Sequence, residues 1–264
     1  MIKIEKVRNE FTGVEVEFVD EGSLAVATIG MRNAKNSWNK SDSIYKDGKY
    51  ILGENDLRLA TTLSQAGPVH GKLVRQIYVA ANITAPLYWW KEFDTYKVGT
   101  TANSTSTMHK LTSREILMSD LSCDKCIPEA RQCLENVLGV CNSLRAKYLK
   151  ATEEKDPKAK EYWYSLIQTL PSSYNQTRTV TMNYEVLSNI YEYRKTHKLD
   201  EWHKFCGWIE ELPYAKELII RDNKNEKQKT EQKEVLKNSE NDNKQQNTIK
   251  AKASPKQEKE DKSF

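Results

Sequence analysis

The sequence predicts an α/β protein of the α+β kind, and three observations carry that expectation. Apolar and polar residues alternate in Val14, Val16 and Phe18, and again in Ile77, Val79, Ala81 and Ile83. Apolar residues recur at helical spacing from Pro128 to Leu212. Beyond Ile220 the chain becomes Lys, Glu, Asn, Gln and Asp, with Val235, Leu236, Ile249 and Phe264 as its sizeable apolar residues. Period two marks half-buried strands and a period near 3.6 marks amphipathic helices. A segment as polar as 221–264 cannot bury enough area to offset its ordering entropy. One domain over residues 1–220 and a disordered, charged tail are therefore expected.

The elements follow in order. Ile2 and Ile4 alternate with Lys3 and Glu5, and Val14, Val16 and Phe18 with Glu15 and Glu17, which gives two strands joined through Phe11-Thr-Gly13. Asn33 to Gly53 is rich in Asn, Ser, Lys and Asp and reads as a surface loop. Asn55 and Asp56 offer caps to a short helix carrying Leu57, Ala60 and Leu63, which stops at Gly67-Pro68. Leu73 to Thr84 reads as a strand, with Ile77, Val79, Ala81 and Ile83 on one face and Gln76, Tyr78 and Asn82 on the other. Pro86 suits the first turn of a following helix because it has no N–H to lose there. Gly99 suits the end of that helix, with positive φ. Thr112-Ser-Arg-Glu115 is a capping-box pattern for a short helix through Met118. Pro128 to Lys150 is amphipathic through Leu134, Val137, Leu138, Cys141, Leu144 and Tyr148. Further helices are expected from Asp156-Pro157 to Leu170-Pro171, over Val180 to His197 and over Asp200 to Leu212.

The totals exclude several classes. A net charge of +4 is too small to argue for nucleic acid by itself. No run approaches the roughly 18 apolar residues of a membrane span. The opening MIKIEKVRNE has no apolar signal core, so a cytoplasmic location is expected. Five cysteines without a secretory signal indicate reduced thiols. Cys123-Asp-Lys-Cys126 lacks the second close pair or spaced histidines that a zinc site needs, and Cys133 and Cys141 fall on an apolar helical stripe. No metal is expected. GxGxxG and GxxxxGK patterns are absent, which disfavours Rossmann enzymes and P-loop NTPases.

The stretch from Pro86 to His109 reads as the floor of a site. Tyr88, Trp89, Trp90, Phe93 and Tyr96 crowd one segment, and Thr100, Thr101, Asn103, Ser104, Thr105, Ser106 and Thr107 follow directly. Aromatic area beside placed polar groups is how small-molecule pockets are built. Aromatic faces also stack bases, but their density on one short helix favours core packing, and nucleic acid is not expected as a partner. Glu92 and Asp94, two apart on a helix, do not face each other. Asn183 and Arg194 are eleven residues apart, which on a helix places them within about 20° of one another. Either both simply reach solvent at the helix ends, or Arg194 enters a pocket as an anion or carbonyl ligand, work its planar fork suits.

Two separated blocks resemble the flavin-dependent thymidylate synthases. In that family a strand passes through Ala-Pro into a helix ending in Arg-His-Arg, followed by a serine-bearing loop and Arg-Tyr. Ile77 to Pro86 resembles the strand, with His70 upstream, Trp89 to Lys97 the helix and Asn103 to His109 the loop. Leu170-Pro171, Thr181-Met-Asn183 and Arg194, followed by His197 and Trp202, resemble the second block. The departures are Thr95, Tyr96 and Lys97 at the Arg-His-Arg positions, Met108-His109 at Arg-Tyr, and Ile167 at a phosphate-contacting arginine. The loop is one residue longer, so the family serine falls on Thr105 or Ser106.

The resemblance implies a mixed sheet with a helical bundle, a homotetramer with active sites between subunits, and binding of FAD and dUMP. It implies hydride transfer from NADPH to flavin and a one-carbon unit from methylenetetrahydrofolate to C5 of dUMP. Arg194 is then the catalytic residue that grips and activates the pyrimidine. Glu92, Thr95, Ser104, Thr105, Ser106 and Arg194 would bind substrate, with Ser106 and Lys97 at its phosphate. Thr95, Tyr96, Lys97, Asn183, Asn189 and His197 would bind cofactor. The expected function is methylation of dUMP or a related pyrimidine nucleotide; the alternative is an inactive homologue serving as a nucleotide-binding or assembly protein.

Overall fold

The computed structural model describes residues 13–22 and 24–220. The strand expected at Ile2 and Ile4, most of the turn at Phe11-Thr-Gly13, and the tail lie outside the described residues. In chain order the elements are β1 (Glu15–Gly22), α1 (Leu24–Asn33), β2 (Ile44–Lys46), β3 (Lys49–Ile51), α2 (Glu54–Gln65), α3 (Lys72–Gln76), β4 (Tyr78–Pro86) and α4 (Leu87–Phe93). They continue with β5 (Thr100–Ser104), α5 (Thr107–Lys110), α6 (Pro128–Glu153), α7 (Ala159–Thr169), β6 (Asn175–Asn183), α8 (Tyr184–Arg194), α9 (Asp200–Glu210) and α10 (Ala215–Leu218).

The main sheet has the order β1-β4-β6-β5, with every described ladder antiparallel. Strand alternation gives it two unlike faces. Val79, Ala81 and Ile83 pair with Met182, Val180 and Arg178, and apart from Arg178 these side chains are buried. They form one core with Trp89, Trp90, Phe93, Leu187, Ile190, Trp202, Phe205 and Ile209 from α4, α8 and α9. On the other face Thr84 and Thr177 share a hydrogen bond of 2.7 Å, and Thr179 donates to Asn82 at 2.7 Å. A second core packs Leu138 and Cys141 of α6 and Leu166 of α7 over Leu111, Ile116 and Leu121.

Several boundaries differ from the sequence expectation, each for a local reason. Residues 72–76 form a helical turn rather than the start of the strand, and it buries the consecutive Leu73 and Val74. Pro86 is the last residue of β4 rather than the first turn of a helix, and α4 ends at Phe93. Gly99 does have φ +80°, but in the turn entering β5. The expected hydroxyl loop becomes a strand over Thr100–Ser104, because β-branched threonines suit an edge that pairs with β6. Val180 to Asn183 is likewise strand, paired on both sides as far as Met182, and helix begins only at Tyr184 with Asn183 as its N-cap.

The helix expected from Thr112 does not form; residues 112–117 are turn and irregular chain, and a single 3-10 turn follows over Met118–Asp120. The Asn142 side chain bonds both the N–H and the C=O of Ile116 at 2.9 Å, and Asp120 accepts from Leu117 N and Arg114. Cys133 is exposed on α6, while Cys141 is buried. The expected loop over 33–53 contains a hairpin whose Asp47-Gly48 turn has two positive φ angles, 50° and 75°, as such tight turns require.

Asp56 is not a cap either. Helix α2 starts earlier, and the Asp42 carboxylate receives the N–H groups of Asn55 and Asp56 at 2.9 and 3.1 Å. The fully buried Asp56 instead accepts from Arg32 Nε at 2.6 Å, the Ser41 and Ser43 hydroxyls at 2.6 Å, and two backbone N–H groups. Burial alone raises its pKa, but the hydroxyls, Arg32 and the Asp42 N–H outweigh that and hold it at about 2.

Candidate functional site

The site forms where the last turn of α4 meets the C-terminal turn of α8 and the start of α9. Helix α4 is short and buries Trp89, Trp90 and Phe93, so Glu92 is left facing the neighbouring helices. Its Oε2 accepts from Arg194 Nη1 at 2.8 Å and from the indole N–H of Trp202 at 3.0 Å. His197 Nε2 lies 3.3 Å from the same oxygen. Because His197 Nδ1 accepts from Leu199 N at 3.2 Å, a neutral imidazole here carries its hydrogen on Nε2, toward Glu92.

Arg194 Nε donates to the Tyr96 hydroxyl at 3.0 Å, and the guanidinium lies 4.7 Å from the Trp202 ring centroid. The side chain is 17% exposed, so its pairing is shielded from bulk water. Nη2 of Arg194 and Oε1 of Glu92 have no partners among the described residues. Together they present a donor beside an acceptor.

Around the corner, Tyr96 shares a recess of about 170 Å³ with Thr95, Lys97, Val98, Val186 and Asn189. A Cβ on Gly99 would stand 2.9 Å from Asn183 Nδ2 and 3.1 Å from Val186 Cγ2, so glycine lets this turn press against the start of α8. Asn183 Oδ1 accepts from Val186 N at 2.9 Å, the N-cap bond that places Val186 there.

A second arginine stands on the same side of the sheet. Arg178 Nη1 donates to Asp94 at 2.7 Å, its Nε donates to Gln176 Oε1 at 3.0 Å, and its guanidinium lies 4.1 Å from the Trp90 ring centroid. Gln176 Nε2 in turn donates to Thr105 O at 2.9 Å.

Arg194 is thus hydrogen-bonded to both Glu92 and Tyr96, with His197 Nε2 3.3 Å from Glu92, while Thr95, Lys97 and Asn189 line the adjoining recess. Asn183 borders it through Gly99 and has its oxygen committed to the cap. Ser104, Thr105 and Ser106 lie apart on β5 and its extension, and none hydrogen-bonds Arg194 or Glu92: Thr105 N bonds Thr177 O at 2.9 Å, and the Ser106 hydroxyl caps α5 through His109 N at 3.1 Å. Arg178, Gln176 and the bonding role of Trp202 were not anticipated. An arginine between Gln176 and Val180, at an inward position of a strand, is the signal for the first two, hidden by reading helix from Val180. Among the described residues no group of three or more His, Cys, Asp or Glu could hold a metal.

No protein-family model matches the chain, and no curated protein matches it by sequence. Solved structures do. A flavin dependent thymidylate synthase from Helicobacter pylori, complexed with FAD and dUMP, matches 78% of this chain and 98% of its own at TM-score 0.56 and 18% identity. A thymidylate synthase X from the same organism, with FAD and dUMP, matches 78% and 97% at TM-score 0.55 and 17% identity. A UMP/dUMP methylase from Streptomyces cacaoi, bound with 5-Br dUMP, matches 78% and 94% at TM-score 0.50 and 13% identity. At such identities the likeness shows a shared fold, mixed helices with an antiparallel sheet.

Proposed function

We propose that this chain is a flavin-dependent thymidylate synthase-like enzyme that methylates dUMP or a related pyrimidine nucleotide, using FAD, NADPH and methylenetetrahydrofolate. The observation that carries the reading is the Glu92–Arg194–His197–Trp202 cluster, set at the end of α4 in a fold shared with proteins solved with FAD and dUMP. Arg194 Nη2 and Glu92 Oε1 match the C=O and N–H of a pyrimidine lactam edge. A guanidinium aimed at a ring carbonyl favours the charge that gathers there when C5 becomes nucleophilic. The stack on Trp202 and the bonds to Tyr96 and Glu92 hold the fork in place, so little ordering is needed at the moment of reaction.

The recess fits one end of a flavin. Asn189 supplies an amide, Lys97 a cation and Val98 and Val186 apolar contact for a planar ring. The buried Thr100 hydroxyl, next along from Gly99, has no hydrogen-bond partner among the described residues and suits a polar ligand atom. Bound FAD would supply hydride-carrying capacity. A cavity of about 170 Å³ cannot enclose a whole dinucleotide. That is consistent with the homotetramer in this reading, where another copy completes the site.

A second reading is favoured by one observation: two of the three Arg194 nitrogens are already bonded within the chain. An inactive homologue would keep Arg194 as a structural tie and bind nucleotide without chemistry. Purified protein is therefore assayed for flavin absorbance, and for dTMP from dUMP with NADPH and methylenetetrahydrofolate. Flavin and dTMP support the enzyme, nucleotide binding without dTMP supports the inactive form, and absence of both FAD and dUMP binding contradicts the reading.

A further inference from the structure

We propose that Arg178 is the cation that receives the phosphomonoester of the nucleotide, and that Asp94 occupies it until the phosphate arrives. This rests on the reading above, that the site takes a pyrimidine nucleotide. Arg178 stands opposite Ser104 in the β5–β6 register, so the two side chains share a face of the sheet. Its guanidinium is laid flat by three contacts: the Trp90 ring at 4.1 Å, Gln176 Oε1 at 3.0 Å and Asp94 Oδ1 at 2.7 Å. Nη2 has no partner among the described residues.

One glutamine ties this cation to the hydroxyl segment. Gln176 accepts from Arg178 and donates to Thr105 O, while its own carbonyl accepts from the Trp90 indole at 2.9 Å. Arg178 is therefore tied to this segment through Gln176 and the Thr105 carbonyl. The Thr105 hydroxyl donates to Thr177 O at 3.2 Å, which leaves Ser104, opposite Arg178, and Ser106 as hydroxyl donors to join the planar cation, the pair that phosphate oxygens bind. The Arg178 side chain is 16% exposed and Asp94 is 47% exposed. An ion pair with a half-exposed carboxylate holds its geometry at little net gain, so a phosphate dianion that accepts from two guanidinium nitrogens displaces it. Asp94 sits at the C-cap of α4, free to swing into solvent, whereas Arg178 is pinned by the tryptophan. Lys97 lines the other recess with Asn189, which leaves it for the cofactor side.

The experiment is calorimetric titration of the full chain, with FAD present, using dUMP and deoxyuridine in parallel. The ratio of their affinities isolates the phosphate. Arg178→Gln is expected to lower that ratio about tenfold or more, with deoxyuridine affinity kept within about twofold, as loss of a charge-assisted hydrogen bond predicts. Asp94→Asn is expected to raise the ratio, and this arm stands if Arg178→Gln fails to fold. An unchanged ratio in both variants overturns the role of Arg178 while deoxyuridine binding leaves the nucleotide reading intact. Failure of both ligands to bind wild-type protein overturns the nucleotide reading as well.

Discussion

Arg194 and Glu92 meet at 2.8 Å across 102 residues of sequence, joining the last turn of α8 to the last turn of α4. The same Glu92 oxygen takes the Trp202 indole, so one carboxylate gathers three elements. A parallel pair, Arg178 with Asp94, lies on the sheet side of α4. Each guanidinium rests on a tryptophan, Trp202 or Trp90. The end of α4 is thereby fixed from both sides, and the segment from Thr95 to Gly99 starts from a defined position.

Glu92→Ala is expected to destabilise the protein by roughly 1–3 kcal/mol, because it leaves the buried Trp202 N–H and Arg194 without their acceptor. Glu92→Gln keeps an accepting oxygen and is expected to lose less. Urea denaturation of the two variants beside wild type decides; equal stability of Glu92→Ala and wild type would deny the carboxylate its tying role.

Gly99→Ala and Gly48→Ala offer a matched comparison. Both glycines have positive φ, 80° and 75°, but a Cβ at Gly48 meets nothing within 4 Å, whereas at Gly99 it would press on Asn183 and Val186. Each variant carries the cost of about 1 kcal/mol for that backbone region. Gly99→Ala is expected to lower the melting temperature further, since the clash falls on the cap of α8. Asn183→Ala alone is expected to cost about 1 kcal/mol, as for other caps.

The amphipathic helices were legible because their apolar stripes are long: α6, α7 and α9 fall close to where their spacing places them. The strand-to-helix switch inside 175–194 was not. Val180, Met182, Val186, Leu187 and Ile190 are all buried, and at Asn183 a period of two gives way to 3.6 without proline or glycine to mark it. That boundary concealed Arg178 on the inward face of β6. Glu92 and Arg194 could be named singly, but their pairing depends on how α4 packs against α8 and α9, which local pattern does not encode.

Asp56 predicts an acid limb. Its carboxyl is held at about 2, against an ordinary 3.8, so the fold binds fewer protons than the unfolded chain between those values. The stabilisation, about 2 kcal/mol, is full above pH 4 and is lost as the pH falls through 2. Asp56→Asn leaves Arg32 buried without its charge partner and is expected to cost about 3–5 kcal/mol at pH 7. Urea midpoints from pH 7 down to pH 2 should fall for wild type at the acid end, and that component should vanish in the variant.

In the proposed function Arg194 reads a pyrimidine nucleotide. Calorimetry of dUMP binding to the FAD-supplemented protein, wild type against Arg194→Ala, tests this. Saturable binding by wild type is expected, with at least about a tenfold loss in the variant, the cost of a charge-assisted hydrogen bond. No binding by wild type, or equal binding by both proteins, would contradict that role of Arg194.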